Sequence, residues 1–131
     1  MHGDKPILRL LVIGDDLTLH ELVKDVAEPH GFEVAAPAAS KIFKSTTRSW
    51  SPTLIVMDLK RPSSDGIEIL YDLAVIKCTA SIILVSSLDS RTLDSALRLG
   101  TERGLKMAGV IRKPVPRREL DDLLVRHKGA E

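Results

Sequence analysis

The sequence of 131 residues is poor in cysteine, in aromatic residues and in net charge. Its single cysteine, Cys78, excludes an internal disulfide and is typical of a reducing compartment, so we expect a cytoplasmic location. Aromatic residues make up 3% of the chain, too few for a surface that stacks on single-stranded nucleic acid. The net charge of +1 indicates no basic surface for nucleic acid or for an anionic membrane.

Long hydrophobic runs and a signal peptide are also missing from the sequence. No apolar run approaches the roughly 20 residues that a transmembrane helix needs. The hydrophobic fraction of 44% is that of a soluble globular protein, and the length suits one domain with one core. We therefore expect a single domain over residues 1–131, with neither nucleic acid nor a membrane as a direct partner.

Short apolar runs alternate with segments of helical periodicity along the chain. The runs predict five strands, at Ile7–Ile13, Glu33–Ala36, Thr53–Met57, Ser81–Val85 and Ala108–Ile111. The periodic segments predict five helices, over Leu19–His30, Lys41–Trp50, Ile67–Ala74, Leu93–Arg103 and from Pro116 to Leu124. Such alternation favours right-handed crossovers and a parallel sheet that helices cover on both faces.

Polar side chains stand at the ends of these strands, where open parallel sheets bind their ligands. They are Asp15 and Asp16 after the first strand, Asp58 after the third, Ser86 after the fourth and Lys113 after the fifth. Clustered carboxylates repel one another, and a hard divalent cation such as Mg²⁺ or Mn²⁺ relieves that repulsion through oxygen ligands. A metal and a lysine beside a nucleophilic carboxylate suit phosphoryl transfer through an aspartyl phosphate.

Four segments, in order, resemble the motifs of receiver domains from bacterial two-component response regulators. They read RLLVIGDDLTLHELV, SPTLIVMDLKRPSSDGIEIL, IILVSS and VIRKP. The resemblance implies an α/β fold of the CheY-like, flavodoxin-like type, with three layers, a parallel sheet of order 2-1-3-4-5 and five helices. It also implies a switch in a two-component phosphorelay. A sensor histidine kinase or phosphotransfer protein would act upstream, and an output domain or effector protein downstream.

The same resemblance implies roles for individual residues in handling a phosphoryl group. Asp58 would be the phosphoacceptor, Ser86 would hydrogen-bond the phosphoryl oxygens, and Lys113 would form an ion pair with them. Ser87 competes with Ser86 for this role, but the register after the apolar run favours Ser86. The peptide bond between Lys113 and Pro114 is often cis in this family.

The resemblance also implies a metal site for Mg²⁺ or Mn²⁺. Asp15, Asp58 and the main-chain carbonyl of Lys60 would supply ligands, and Asp16 is an alternative ligand. From the residues alone, Asp15 and Asp16 could instead cap the first helix, and Asp58 could be a solvated acid at the end of a strand.

Three features depart from the family pattern. Gly14 occupies the place of the first acid of the usual pair, which predicts weaker Mg²⁺ binding. Val110 stands where the family has an aromatic residue, so signalling through that face should differ or be weak. The segment LRLGTERGLKMAGVIRKP is longer than usual and resembles receivers attached to EAL-type cyclic-di-GMP phosphodiesterases, which implies an EAL output domain in a longer native chain.

Two other functions remain open at this point. Gly14 and Val110 support a degenerate receiver, which would bind partners constitutively without phosphorylation. A phosphatase with an aspartate nucleophile needs a second acid two residues later, and Lys60 at that position argues against it. We therefore expect a signalling switch that modifies only itself. Its oligomeric state is left open, with a homodimer among the options.

Overall fold

The computed structural model describes residues 8–14, 16–36, 49–59 and 64–127, and of residues 64–67 the backbone alone. Five strands are present: β1 Arg9–Ile13, β2 Glu33–Ala35, β3 Leu54–Asp58, β4 Ser81–Ser86 and β5 Lys106–Arg112. The described part of the chain holds four α-helices: α1 Leu17–Ala27, α2 Ser64–Val75, α3 Ser90–Glu102 and α4 Arg117–Arg126. The helix predicted over residues 41–50 falls largely outside the described residues. None of the described helices is long and apolar enough to cross a membrane.

The strands form one parallel sheet in the order β2-β1-β3-β4-β5, as predicted. β3 lies at its centre, and all five of its residues are buried. Continuous burial along β3 explains why its sequence shows an unbroken apolar run, since helices cover a parallel sheet on both faces. After β1 the chain adds β2 on one side and β3 on the other, so the strand order reverses here. The edge between β1 and β3 is therefore the topological switch point.

Alternate residues of each strand enter two separate cores, one on each face of the sheet. The core beneath α1 and α4 includes Leu10, Val12, Val23, Val56 and Leu120. The core beneath α2 and α3 includes Leu11, Ile55, Met57, Leu70 and Leu93. Each fully buried side chain of this size stabilises the fold by about 1.5–3 kcal/mol relative to an exposed one. The two cores therefore fix the sheet from both sides.

β3 and β4 each extend one residue further than the sequence predicted. Asp58 pairs with Val85, and the ladder continues because the amide of Leu59 donates to the carbonyl of Val85 at 2.8 Å. Ser86 likewise pairs with Arg112, and the amide of Lys113 donates to the Ser86 carbonyl at 2.9 Å. Both polar residues are therefore held on rigid strands and do not belong to the loops that follow.

Helix ends follow ordinary capping chemistry. Asp16 caps α1, which ends at Ala27 and gives way to a 3-10 turn, so α1 is shorter than predicted. Gly31, with φ of +92°, stops that turn because few other residues adopt positive φ. Pro116, predicted as the first helical residue, is the N-cap of α4, and the helix begins at Arg117.

Candidate functional site

Four polar side chains meet at the C-terminal edge of the sheet, as the sequence predicted. Asp58 and Ser86 end β3 and β4, Lys113 follows β5, and Asp16 precedes α1. Two other predicted site residues, Asp15 and Lys60, lie outside the described residues.

Asp58 lies deep in this edge, with 1% of its side-chain surface exposed. Its Oδ2 accepts a hydrogen bond from Lys113 Nζ at 3.0 Å. Its Oδ1 is buried and has no hydrogen-bond partner among the described residues. A buried oxygen without a partner costs free energy, so it is expected where a ligand or an ion completes the site.

Lys113 bridges two carboxylates at this edge. Its Nζ lies 2.8 Å from Asp16 Oδ2 and 3.0 Å from Asp58 Oδ2. Burial alone would lower the pKa of Lys113, but the hydrogen bonds to Asp16 and Asp58 outweigh it and raise the pKa above its ordinary value. The peptide bond between Lys113 and Pro114 is cis, as the family resemblance implied.

Asp16 serves both the first helix and the lysine. One carboxylate oxygen accepts a hydrogen bond from the amide of Leu19 at 3.2 Å and caps α1, while the other binds Lys113. The bond to Lys113, followed by the bond from Leu19, lowers the pKa of Asp16. Both of its oxygens are therefore engaged within the protein.

Gly14 packs directly against the phosphoacceptor candidate. Its φ of +143° is a conformation that side chains rarely allow, and a Cβ added there would lie 2.7 Å from Cβ of Asp58. Its carbonyl accepts a hydrogen bond from His20 Nε2 at 2.8 Å, so that ring nitrogen carries a proton. Sequence reasoning treated Gly14 only as a missing acid and gave His20 no role. The structure shows that backbone occupies the space next to Asp58.

Ser86 is fully buried, whereas Ser87 is exposed. The Ser86 hydroxyl donates to the carbonyl of Leu59 and accepts from the amide of Leu88 at 3.0 Å. The hydroxyl thus joins the residue that follows Asp58 to the segment that leads into α3.

Val110 lies in β5 opposite Leu84 and is half-buried. It packs against the core beneath α2 and α3. This face of β5 therefore carries a small branched side chain that packs in place, with no aromatic ring to turn.

The Asp58 oxygen that has no partner among the described residues fits a hard divalent cation, which prefers carboxylate and carbonyl oxygens. Within the described ranges, no three histidine, cysteine or acidic side chains come together to hold a metal. The two further ligands expected from the sequence, the Asp15 carboxylate and the Lys60 carbonyl, belong to undescribed residues.

A protein-family model described as the response regulator receiver domain matches residues 10–125. Among curated proteins, the chain is 33% identical over 95 residues to the regulatory protein VirG of Agrobacterium fabrum, covering 72% of this chain and 37% of that protein. It is 32% identical over 88 residues to the chemotaxis protein CheY of Bacillus subtilis, covering 65% of this chain and 72% of CheY. The chain thus spans little more than a third of the VirG protein.

The fold is also found among solved structures. A response regulator from Colwellia psychrerythraea superposes with a TM-score of 0.80 and 31% identity, covering 94% of this chain and 98% of that one. The chain therefore belongs to the family of response regulator receiver domains.

Proposed function

Starting from its membership of the receiver family, we propose that this chain is phosphorylated on Asp58 in a Mg²⁺- or Mn²⁺-dependent reaction and thereby switches an output domain or partner. The observation that carries the proposal is the state of the Asp58 carboxylate. One of its oxygens is bound to Lys113, and the other is buried without a partner in the described part of the chain. A carboxylate held in this way is prepared to bind a cation and to accept a phosphoryl group.

In the proposed reaction, the Asp58 carboxylate attacks the phosphorus of a phosphohistidine or a small phosphodonor. A new bond forms between oxygen and phosphorus, and the bond from phosphorus to the donor breaks, with its electron pair leaving on the donor. The metal ion would neutralise charge on the phosphoryl oxygens. Asp15, Asp58 and the Lys60 carbonyl would hold it. Lys113 would contact one phosphoryl oxygen and offset its negative charge.

Switching would begin at Ser86. To reach a phosphoryl oxygen, its hydroxyl must leave the Leu59 carbonyl, and this movement also disturbs its bond with the Leu88 amide. Leu88 leads directly into the Asp89 cap of α3, so the start of α3 would respond. Because Val110 offers no aromatic ring, we propose that the main chain between Ser86 and Asp89 carries the signal to the surface formed by α3 and β5.

A second candidate is a degenerate receiver that binds partners without phosphorylation. The feature that favours it is Gly14, since its backbone fills the space beside Asp58 and supplies no carboxylate for a metal. Such a domain would act as a constitutive interaction module.

The deciding experiment is intact-mass analysis after incubation with acetyl phosphate, with and without Mg²⁺. We expect the parent chain to gain one phosphoryl group only when Mg²⁺ is present. Asp58→Asn should gain none, and Asp94→Asn, which removes an exposed acid of α3, should behave like the parent. If the parent gains no phosphoryl group and binds no beryllofluoride, the degenerate module is the better description.

For the surroundings of this switch, we propose a cytoplasmic location, because its kinase or phosphotransfer partner would act there.

The domain proposed for residues 1–131 would be joined to, or dock on, an output module. The similarity of the Leu97–Pro114 segment to EAL-linked receivers supports an EAL phosphodiesterase as that output. Cyclic-di-GMP hydrolysis by the native protein should then change on phosphorylation. A homodimer would appear as doubled mass in light scattering.

A further inference from the structure

We propose that Asp16 is a positioning residue that holds Lys113 over Asp58. This inference rests on the proposed function, because the position of Lys113 matters only if a phosphoryl group arrives at Asp58. Asp16 lies one residue beyond the expected metal ligand, and its position in the sequence indicates no contact with a lysine 97 residues away.

Asp16 is held rigidly at the start of α1. One oxygen of its carboxylate accepts the amide of Leu19, so the side chain is fixed to the first turn of α1. Leu19 itself is buried in the core beneath α1 and α4. The second oxygen therefore stands at a defined place, and Lys113 Nζ binds it there at 2.8 Å.

Lys113 divides its hydrogen bonds between two carboxylates. An ammonium group has three protons to donate, and here one bond goes to Asp16 and one to Asp58. No acceptor among the described residues takes the third proton, which can serve a phosphoryl oxygen. Asp16 can thus keep its bond while Lys113 turns from Asp58 toward the phosphoryl group. Asp16 therefore fixes the position of the ammonium group without having to release it.

A flexible lysine is costly to fix in one place. Its side chain has many rotamers, and that entropy must be lost when the ammonium is fixed beside a transition state. A second carboxylate that holds the side chain beforehand removes part of that loss from the reaction. Asp58 alone cannot do this, because its charge and contacts change when it is phosphorylated.

The test compares the parent with Asp16→Asn and Glu21→Gln. Asparagine caps a helix about as well as aspartate, so Asp16→Asn keeps α1 while removing the charge that binds Lys113. Glu21→Gln removes one negative charge from an exposed position of the same helix. Two quantities are measured: the Nζ proton signal of Lys113 by NMR at low temperature, and the rate of phosphorylation by acetyl phosphate at saturating Mg²⁺.

We expect the Lys113 signal to be visible in the parent and in Glu21→Gln, and to be lost through solvent exchange in Asp16→Asn. Phosphorylation of Asp16→Asn should be about five- to tenfold slower, a change of about 1–1.4 kcal/mol in the barrier. Glu21→Gln should stay within about twofold of the parent.

An unchanged Lys113 signal in Asp16→Asn would overturn this inference whatever happens to Asp58. A lost signal with a rate equal to the parent would overturn it as well, because the contact would then be structural only. Failure of the proposed function is seen separately, as a parent chain that gains no phosphoryl group.

Discussion

In the described part of the chain, the two edges of the sheet each hold a basic side chain and one buried polar atom without a hydrogen bond, yet they differ in what surrounds that atom. At the N-terminal edge, Arg9 Nη1 donates to the Trp50 carbonyl at 2.8 Å, and the guanidinium lies 5.7 Å from the Trp50 ring. Its Nε has no hydrogen-bond partner among the described residues and lies 3.7 Å from a carboxylate oxygen of Glu33. At the C-terminal edge, the atom that no described residue partners is Asp58 Oδ1.

The two atoms therefore have different surroundings. The Arg9 atom is a donor in a guanidinium that makes another hydrogen bond through Nη1 and whose charge Glu33 offsets nearby. The Asp58 atom is an acceptor on an anion, and the described residues offer it no donor. A donor near a carboxylate is partly compensated by that charge, whereas a buried carboxylate oxygen that no described donor reaches is suited to bind a cation or a ligand.

The largest effect should come from breaking the close packing at the C-terminal edge. We expect Gly14→Ala to lower the free energy of unfolding by about 3 kcal/mol, since φ of +143° disfavours a side chain and the added Cβ would meet Asp58. Gly104→Ala is the matched control, because its φ is +89° and nothing lies within 4 Å of the added Cβ, so it should cost about 1–2 kcal/mol. Equal losses in urea unfolding would show that the contact with Asp58 is unimportant.

A smaller loss of unfolding free energy should distinguish two neighbouring serines at the same edge. Ser86→Ala removes a buried hydroxyl with two hydrogen bonds and should cost about 1–2 kcal/mol of unfolding free energy. Ser87→Ala removes an exposed hydroxyl and should change it by less than about 0.5 kcal/mol. Beryllofluoride binding should weaken only in Ser86→Ala, and the reverse result would assign the switch to Ser87.

At the N-terminal edge, Arg9→Met should affect stability and leave function alone. It removes the hydrogen bond to the Trp50 carbonyl and the contact with the Trp50 ring, which together predict a loss of about 1 kcal/mol. The rate of phosphorylation by acetyl phosphate should equal that of the parent. A slower rate would mean that the two edges are coupled and that the N-terminal edge is not purely structural.

The smallest effect should be a dependence of stability on pH through the Asp16 carboxylate. Because Lys113 and the Leu19 amide lower the pKa of Asp16 in the folded state, the unfolded chain takes up the proton first as the pH falls. The contribution of Asp16 to stability is complete above about pH 5 and is lost as the pH falls through its lowered pKa in the folded state. The midpoint of urea unfolding should therefore fall less on acidification in Asp16→Asn, and parallel profiles would contradict this.

Much of the fold was predictable because buried strands appear in the sequence as runs of apolar residues. The continuous apolar runs of β3 and β4 predict strands covered on both faces, and the acid and serine that end them mark the edge where ligands bind. The order of the strands came from family resemblance, because alternation of helices and strands does not determine which strands are neighbours.

The features that the sequence did not predict depend on distances across the fold. Nothing near Asp16 in the sequence indicates Lys113, because their contact exists only once β1 and β5 are placed in the sheet. Gly14 was interpreted as a lost acid, although its role depends on a positive φ and on packing against Asp58. His20 has no motif of its own, and helical spacing back to the end of β1 is the one signal that could have suggested its bond to Gly14.

The register of β5 has a consequence for how copies of this protein behave at high concentration. Ile82 pairs with Met107 and Ile83 with Gly109, so Ala108 is an extra residue in an edge strand. Such a bulge interrupts the regular row of amides and carbonyls that another strand would need for pairing. The charged ends of β5, Lys106 and Arg112, add repulsion between identical edges. The β5 side of the sheet is thereby protected against aggregation by strand addition.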